Sequence, residues 1–174
     1  ESLSIPSVAF RYQNVYGPGQ SLSNPYTGIL SIFSTRILNG NNLDIYEDGE
    51  ETRDFVYIED VVDATILGIE KEEANGQIFN IGSGIATTVL DVANTLKRLY
   101  NSDININISG KFRLGDIRHN FADLSKSKDI LGFTPKYHFK RGITEFVNWV
   151  KTQEVMEDKY EKSVQQLKNK GLMK

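Results

Sequence analysis

The chain has 174 residues, no cysteine, and a formal net charge of −3 from 20 Lys and Arg against 23 Asp and Glu. The lack of cysteine excludes disulfide scaffolds, zinc ribbons and iron–sulfur sites, and the acidic balance argues against a nucleic-acid binder. No apolar run reaches the roughly 18 residues of a membrane helix, and the opening residues do not have a signal-peptide pattern. We therefore expect a cytoplasmic protein that binds neither nucleic acid nor membrane.

The charge is distributed unevenly along the chain. Residues 1–100 carry 6 basic and 14 acidic side chains, whereas residues 101–174 carry 14 basic and 9 acidic ones. A basic half is suited to an anionic ligand, but solvated helix faces and a mixed-charge tail explain the same counts. The charge pattern alone leaves both interpretations open.

Hydrophobic periodicity predicts strands that alternate with helices. Strands are predicted at 5–12, 43–46, 53–58, 77–81 and 104–108, and helices at 28–39, 61–71, 88–99, 125–132 and 143–150. Thr27 and Ser125 are predicted helix caps, and Thr88 with Asp91 resembles a capping box. The alternation indicates an α/β fold. Residues 153–174 form a charged, weakly amphipathic tail that either docks as a helix or frays.

Three sequence blocks occur in order over about 110 residues. They are RYQNVYGPGQ at 11–20, DG followed by TRDFVYIEDV at 48–61, and RLGD at 113–116. Together they resemble the extended short-chain dehydrogenase/reductase family and, within it, the NAD-dependent nucleotide-sugar epimerases. The variant GDIRHN at 115–120 and the long tail are similar to the dTDP-L-rhamnose 4-epimerases, and the UDP-glucose 4-epimerases are the other subgroup considered.

The resemblance implies a fold and a reaction. Residues 1–152 are expected to form the end of a Rossmann-like parallel sheet plus a small mixed α/β substrate lobe, with residues 153–174 as a helical tail. In such an enzyme a Tyr removes the C4 hydroxyl proton of a UDP- or dTDP-sugar while the C4 hydride passes to NAD. The keto-sugar then turns over, and the hydride returns to its other face.

Two features of that family are absent from residues 1–174. Neither Gly17/Gly19 nor Gly82/Gly84 is followed by a third glycine at the spacing of a G-x-G-x-x-G phosphate turn, and no Tyr has a Lys four residues on. In the family both features lie upstream of the strand that opens this chain. The resemblance therefore implies a C-terminal half that is inactive alone and partners an N-terminal cofactor half. The face exposed by that half predicts oligomers, such as a homodimer, or aggregation.

Two arginines are the main candidates for ligand binding. Guanidinium groups match phosphate oxygens bidentately, and Arg53 and Arg113 stand where the resemblance places the diphosphate arginines. Arg118 is a weaker candidate. From the residues alone, an arginine amid Glu50, Glu51 and Asp54 is more often part of a surface ion pair, which contributes little to stability.

The residues after the first strand are candidates for sugar and cofactor contacts. The resemblance implies that the Asn14 side chain donates to the sugar or phosphate, although an Asx turn that holds the backbone is the alternative. Gln13 falls where the family packs a residue against the nicotinamide. Many members have an aromatic residue there, so this sequence departs from the pattern.

Four further positions complete the predicted substrate site. Asp44 and Tyr46 match the strand that lies along the nucleotide base, where Tyr46 either stacks on the base or belongs to the core. Thr27 falls in the sugar-contacting region. Asp116 is expected to orient Arg113 rather than to touch the ligand.

Other functions remain open at this stage. His119 and His138 are single and far apart in sequence, so no metal site is predicted. The same three blocks fit the substrate half of a nucleotide-sugar dehydratase, decarboxylase or reductase, and also a non-catalytic nucleotide-sugar-binding domain. The sequence does not name the sugar or choose between UDP and dTDP.

Overall fold

The computed structural model describes residues 5–24 and 28–173. The strands in these ranges are β1 (Ala9–Tyr12), β2 (Asn14–Tyr16), β3 (Leu43–Ile45), β4 (Thr52–Arg53), β5 (Phe55–Tyr57), β6 (Ile78–Ile81), β7 (Thr87–Thr88) and β8 (Ile106–Ile108). The helices are α1 (Ile29–Leu38), α2 (Ile58–Glu70), α3 (Val89–Tyr100), α4 (Phe139–Val150) and α5 (Tyr160–Asn169), with a 3₁₀ turn at Glu72–Ala74 and a π-helical turn at Ser127–Leu131. Each described helix is too short or too polar to cross a bilayer.

The strand pairing is mainly parallel. β1 pairs with β6, β2 with β5, and β3 with β8, all in parallel, while β4 and β7 form a short antiparallel pair. The predicted mixed α/β class with parallel strands is confirmed. Parallel strands require crossover connections, and α1, α2 and α3 lie between the paired strands in sequence.

The first strand changes partner between Gln13 and Asn14. The Gln13 N–H donates to the Ile81 carbonyl at 2.9 Å, and the Asn14 N–H donates to the Asp54 carbonyl at 2.9 Å. The chain therefore runs along β6 as β1 and along β5 as β2, and the sheet divides at this point. Crevices outside the carboxyl ends of parallel strands, where neighbours diverge, are the usual ligand sites of open α/β sheets.

Two hydrophobic clusters support the strands. The larger one joins α1, α3 and α4 to β3 and β5, and its fully buried members include Leu43, Ile45, Leu96, Ile143 and Phe146. The second lies between α2, β6 and the π-helical turn. The buried positions on α4 follow the helical repeat that the sequence predicted, because only one face of that helix meets the core.

Local details correct some of the predicted ends. The Thr88 hydroxyl accepts the Asp91 N–H at 3.0 Å, so the predicted cap of α3 is confirmed. Ser125 is not a cap, because its N–H and hydroxyl both donate to Asp123. The N-cap position of α1 is Gly28, and Thr27, the predicted cap and sugar contact, lies outside the described residues.

Candidate functional site

A cavity of about 300 Å³ opens between α1, β3, β4, the start of α3 and α5. Six of the residues predicted to bind substrate line it, namely Asn14, Asp44, Tyr46, Arg53, Arg113 and Asp116. These residues come from segments that are distant in sequence. The fold therefore brings Arg53 and Arg113 to one cleft, which is the geometry that a shared ligand requires. Their contact with a ligand stays a prediction.

Arg53 is held in place by three hydrogen bonds. Its Nη1 donates to the carbonyls of Thr52 at 2.8 Å and Arg118 at 3.0 Å, and its Nη2 donates to Asp116 Oδ1 at 2.9 Å. Within the described residues this leaves the Nε–H and one Nη2–H for a ligand. The expectation that Asp116 orients Arg113 is wrong, because this carboxylate pairs with Arg53.

Arg113 has a different environment. It is exposed, and its guanidinium carbon lies 5.2 Å from the centre of the Tyr46 ring. In the described ranges no carboxylate lies within ion-pairing distance of Arg113, so an anion meets its charge without first breaking an ion pair.

Arg118 lies outside the cavity lining. Its guanidinium donates to Glu47 at 2.6 Å and to Asp48 at 2.7 Å. The hydrogen bond from Arg118 lowers the pKa of Asp48. Both ion pairs are partly exposed, which indicates that Arg118 fastens its loop to the turn after β3.

The free edge of β3 faces the cavity. The Leu43 N–H donates to Asn105, and the Ile45 carbonyl accepts from Ser109, so these two residues direct their backbone groups toward β8. In a parallel ladder alternate residues point opposite ways, and the backbone of Asp44 and Tyr46 therefore points away from β8. Both residues line the cavity, and their position along a nucleotide base stays a prediction.

Glu51 is a cavity residue that the sequence analysis missed as a site residue. Its side chain is buried, and neither carboxylate oxygen has a hydrogen-bond partner among the described residues. Burial raises the pKa of this carboxyl, with a smaller contribution from the charges of Glu47 and Asp48. In the sequence it belongs to an acidic run that resembles a solvated turn, so no pattern distinguishes it.

The cavity lining carries no excess of positive charge, but its two guanidinium groups differ in how far nearby carboxylates compensate them. Four carboxyl groups and two guanidinium groups line it, namely Asp44, Glu47, Glu51, Asp116, Arg53 and Arg113. Glu47 is paired with Arg118 and Asp116 with Arg53, and burial disfavours the charged form of Glu51. The positive charge of Arg113 is therefore the least compensated charge on the basic side of the cavity.

The tail supplies another wall that was not predicted as part of the site. Tyr160, Ser163 and Leu167 of α5 line the cavity. The Tyr160 hydroxyl donates to the Tyr46 hydroxyl at 2.9 Å, and burial raises the pKa of Tyr160. In the sequence, the apolar residues of this tail recur every three or four positions, which predicted the face of a helix but not a contribution to the site.

The partner change of the first strand positions two polar side chains. Asn14 lines the main cavity and also an adjoining hollow next to Tyr16 and Gln20. Gln13 lies outside the main cavity, and its side-chain oxygen Oε1 is buried with no hydrogen-bond donor in the part of the chain that the structure describes. An unpaired buried acceptor at the carboxyl end of a parallel strand fits a ligand that carries an amide N–H.

The Gly82-Ser83-Gly84 turn was considered above as a possible phosphate turn, but it binds the carboxylate of Asp54. The N–H groups of Ser83 and Gly84 donate to Asp54 at 2.7 and 2.9 Å, and the Ala122 N–H donates to it at 3.1 Å. A Cβ on Gly82 would overlap the same carboxylate. This turn is therefore part of the framework and is not available to a phosphate.

Residues 1–82 match the model of the NAD dependent epimerase/dehydratase family. The dTDP-L-rhamnose 4-epimerase of Burkholderia thailandensis is 44% identical over 145 residues, which cover 83% of this chain and 40% of that protein. The UDP-N-acetyl-alpha-D-glucosaminuronate decarboxylase of Bacillus cytotoxicus is 32% identical over 150 residues, 83% of this chain and 46% of that protein.

The fold agrees with these relatives. The UDP-N-acetylglucosamine 4-epimerase of Methanobrevibacter ruminantium, solved with UDP-N-acetylmuramic acid, superposes with a TM-score of 0.80 at 34% identity, over 88% of this chain and 48% of that one. The chain thus spans less than half the length of these three proteins. By sequence and by fold, the chain belongs to the NAD dependent epimerase/dehydratase family.

Proposed function

We propose that this chain is the nucleotide-sugar-binding part of an NAD-dependent nucleotide-sugar 4-epimerase, and that it clamps the diphosphate of a UDP- or dTDP-sugar. The observation that carries the proposal is the convergence of Arg53 and Arg113 on one cavity from segments 60 positions apart in the sequence. A diphosphate carries about two negative charges, and forked guanidinium donors match its oxygens.

The other cavity residues suit the remaining parts of such a ligand. The base lies along the cavity edge of β3, where Tyr46 offers a ring face and its N–H, and Asp44 offers its backbone groups, while the Tyr46 carbonyl already accepts the Gly49 N–H. The Asn14 amide lies at the opening toward the adjoining hollow, where it reaches the sugar or the phosphate. In this arrangement the nucleotide supplies most of the binding energy, at a distance from the reacting carbon, and the sugar remains free to turn over in the site.

The residues present fit the edge of an NAD site and not its centre. The buried, unpaired Oε1 of Gln13 is suited to accept an N–H from the nicotinamide carboxamide. NAD, when bound, accepts a hydride from the sugar and returns it. No glycine-rich phosphate turn and no Tyr-x-x-x-Lys occur in residues 1–174, so in this proposal those groups come from a region outside them.

Calorimetry with UDP, dTDP and their sugars tests the clamp. We expect weak binding that falls about tenfold or more when either Arg53→Ala or Arg113→Ala removes a charge-assisted contact. Arg98→Ala, on an exposed site of α3 away from the cavity, is the matched control and should bind as the unaltered chain does. Tight binding that survives loss of both cavity arginines would refute the clamp.

A decarboxylase is the second candidate reaction, because a decarboxylase is among the relatives at 32% identity. The chain alone does not decide between the two, since the proton-transferring residues are outside it. With NAD and UDP- or dTDP-sugars we expect no turnover by residues 1–174. Epimerisation or CO₂ release by this chain would show that catalytic residues were overlooked within it.

A further inference from the structure

The C-terminal segment, residues 158–173, is attached to the protein at both of its ends. At the start, Arg36 Nη1 lies 3.3 Å from Asp158 Oδ2, and both side chains are almost fully buried. The Arg36 guanidinium also lies 4.1 Å from the centre of the Tyr160 ring, and Asn41 donates to Asp158 at 2.8 Å. A buried, multiply bonded ion pair fixes this end of the segment in one position.

The far end of the segment pairs with the loop that carries Arg113. The Leu114 N–H donates to the Leu172 carbonyl at 3.0 Å, and Arg113 and Met173 form an antiparallel bridge. Gly171 has a φ of +67°, which lets the chain reverse after α5 and reach that loop. Met173 is buried there, in one cluster with Tyr160 and Val164.

Between its two ends the segment contacts the ring under Arg113. The Tyr160 hydroxyl donates to the Tyr46 hydroxyl, and Ile32, Tyr46 and Leu167 pack against the cluster that α5 buries. The hydrogen bond holds the hydroxyl end of Tyr46, and the Arg113 guanidinium lies over the face of the same ring. Two cavity residues, Tyr46 and Arg113, therefore both contact this segment.

We propose that residues 158–173 are part of the nucleotide site, in which Leu172 and Met173 position Arg113 and Tyr160 positions Tyr46. The proposal rests on the proposed function for its ligand, a nucleoside diphosphate. The segment contacts an arginine that binds the diphosphate and a ring that stacks on the base, and neither contact distinguishes thymine from uracil by its methyl group. Removal of the segment therefore weakens the binding of UDP and of dTDP by the same factor.

The test removes residues 171–174 and leaves α5 and its buried ion pair in place. Hydrogen exchange read at Leu114, without ligand, should speed up about tenfold or more, while the amides of α1 and α3 keep their protection. Lys170→Ala, an exposed substitution one residue before the cut, is the control and should leave Leu114 unchanged. Unchanged exchange at Leu114 in the truncated chain overturns the proposal.

A coupling measurement separates positioning from a general structural role. In the truncated chain Arg113→Ala should weaken UDP binding by a clearly smaller factor than in the full chain, whereas Arg53→Ala should keep its full effect. Equal effects of Arg113→Ala in both chains overturn the proposal. If the full chain binds neither UDP nor dTDP, the proposed function fails, and exchange at Leu114 still decides whether the segment holds the loop that carries Arg113.

Discussion

Asp54 and Glu51 are three residues apart in sequence, and both are buried, yet their surroundings are opposite. Asp54, at the back of the cavity wall, accepts four hydrogen bonds, from the N–H groups of Ser83, Gly84 and Ala122 and from the Ser83 hydroxyl. Glu51, on the cavity side, accepts none from the described residues. A buried carboxyl with donors stabilises the fold, whereas one without donors costs stability.

The same contrast between hydrogen-bonded and unpaired polar groups holds for the neighbours of Asp54 and of Glu51. Asp60, also in the second sequence block, is buried and accepts the N–H groups of Lys136 and Tyr137, so it joins two distant segments as Asp54 does. On the cavity side Arg113 has no ion pair in the described ranges, and Gln13 has an unpaired oxygen. Among these residues, the satisfied carboxylates of Asp54 and Asp60 belong to the framework, and the unpaired oxygens of Glu51 and Gln13 lie where we propose that ligands bind, although other buried oxygens, such as that of Ser31 in α1, are also unpaired in the described residues.

The largest effect should come from the framework side. Asp54→Ala leaves the N–H groups of Ser83, Gly84 and the buried Ala122 without their acceptor, so we expect a loss of about 3–5 kcal/mol in the free energy of unfolding. Urea denaturation measures it, and Asp103→Ala, an exposed aspartate, is the control. Ser83→Ala removes only one of the four donors and should cost about 1 kcal/mol. Equal stability of the Asp54→Ala and Asp103→Ala proteins would contradict the framework role.

Substitution of Glu51, on the cavity side, should increase stability instead of lowering it. Because burial raises the pKa of Glu51 above its ordinary value of 4.5, the folded chain resists its ionisation, and stability falls as the pH rises above that value. Glu51→Gln removes the charge and should raise Tm by about 2–4 °C at pH 7, with the gain disappearing near pH 4. Thermal melts across this range measure it, and a gain that is independent of pH would show that ionisation is not the cause.

The smallest effect is expected at the exposed pairs of Arg118. Arg118→Gln should change Tm by less than about 2 °C, since partly exposed ion pairs contribute little. The pKa of Asp48, lowered by the Arg118 hydrogen bond, should rise toward its ordinary value. Carboxyl chemical shifts followed through an acid titration measure this, with Asp103 as the reference. An unchanged Asp48 titration would mean that the pair does not persist in solution.

The sequence predicted the elements well because their periodicity reflects burial. The helices at 58–70, 89–100 and 139–150 follow apolar faces, and the cap at Thr88 follows from local hydrogen bonding. The site was less predictable. Partners such as Asp116 for Arg53 and Asp54 for Ser83 depend on how distant loops meet, which no local pattern reports.

The sequence by itself determined the α/β class and the resemblance to the family, because hydrophobic repeats and short motifs are local properties of the chain, and that resemblance indicated the two arginines of the proposed clamp. Only the tertiary structure decided which acidic residue each cation meets, that Glu51 is buried without a donor, and that the tail reaches Tyr46 and the Arg113 loop. These outcomes depend on burial and on distances across the fold, since both the pairing of charges and the cost of leaving them unpaired are set by surroundings that sequence neighbours do not provide.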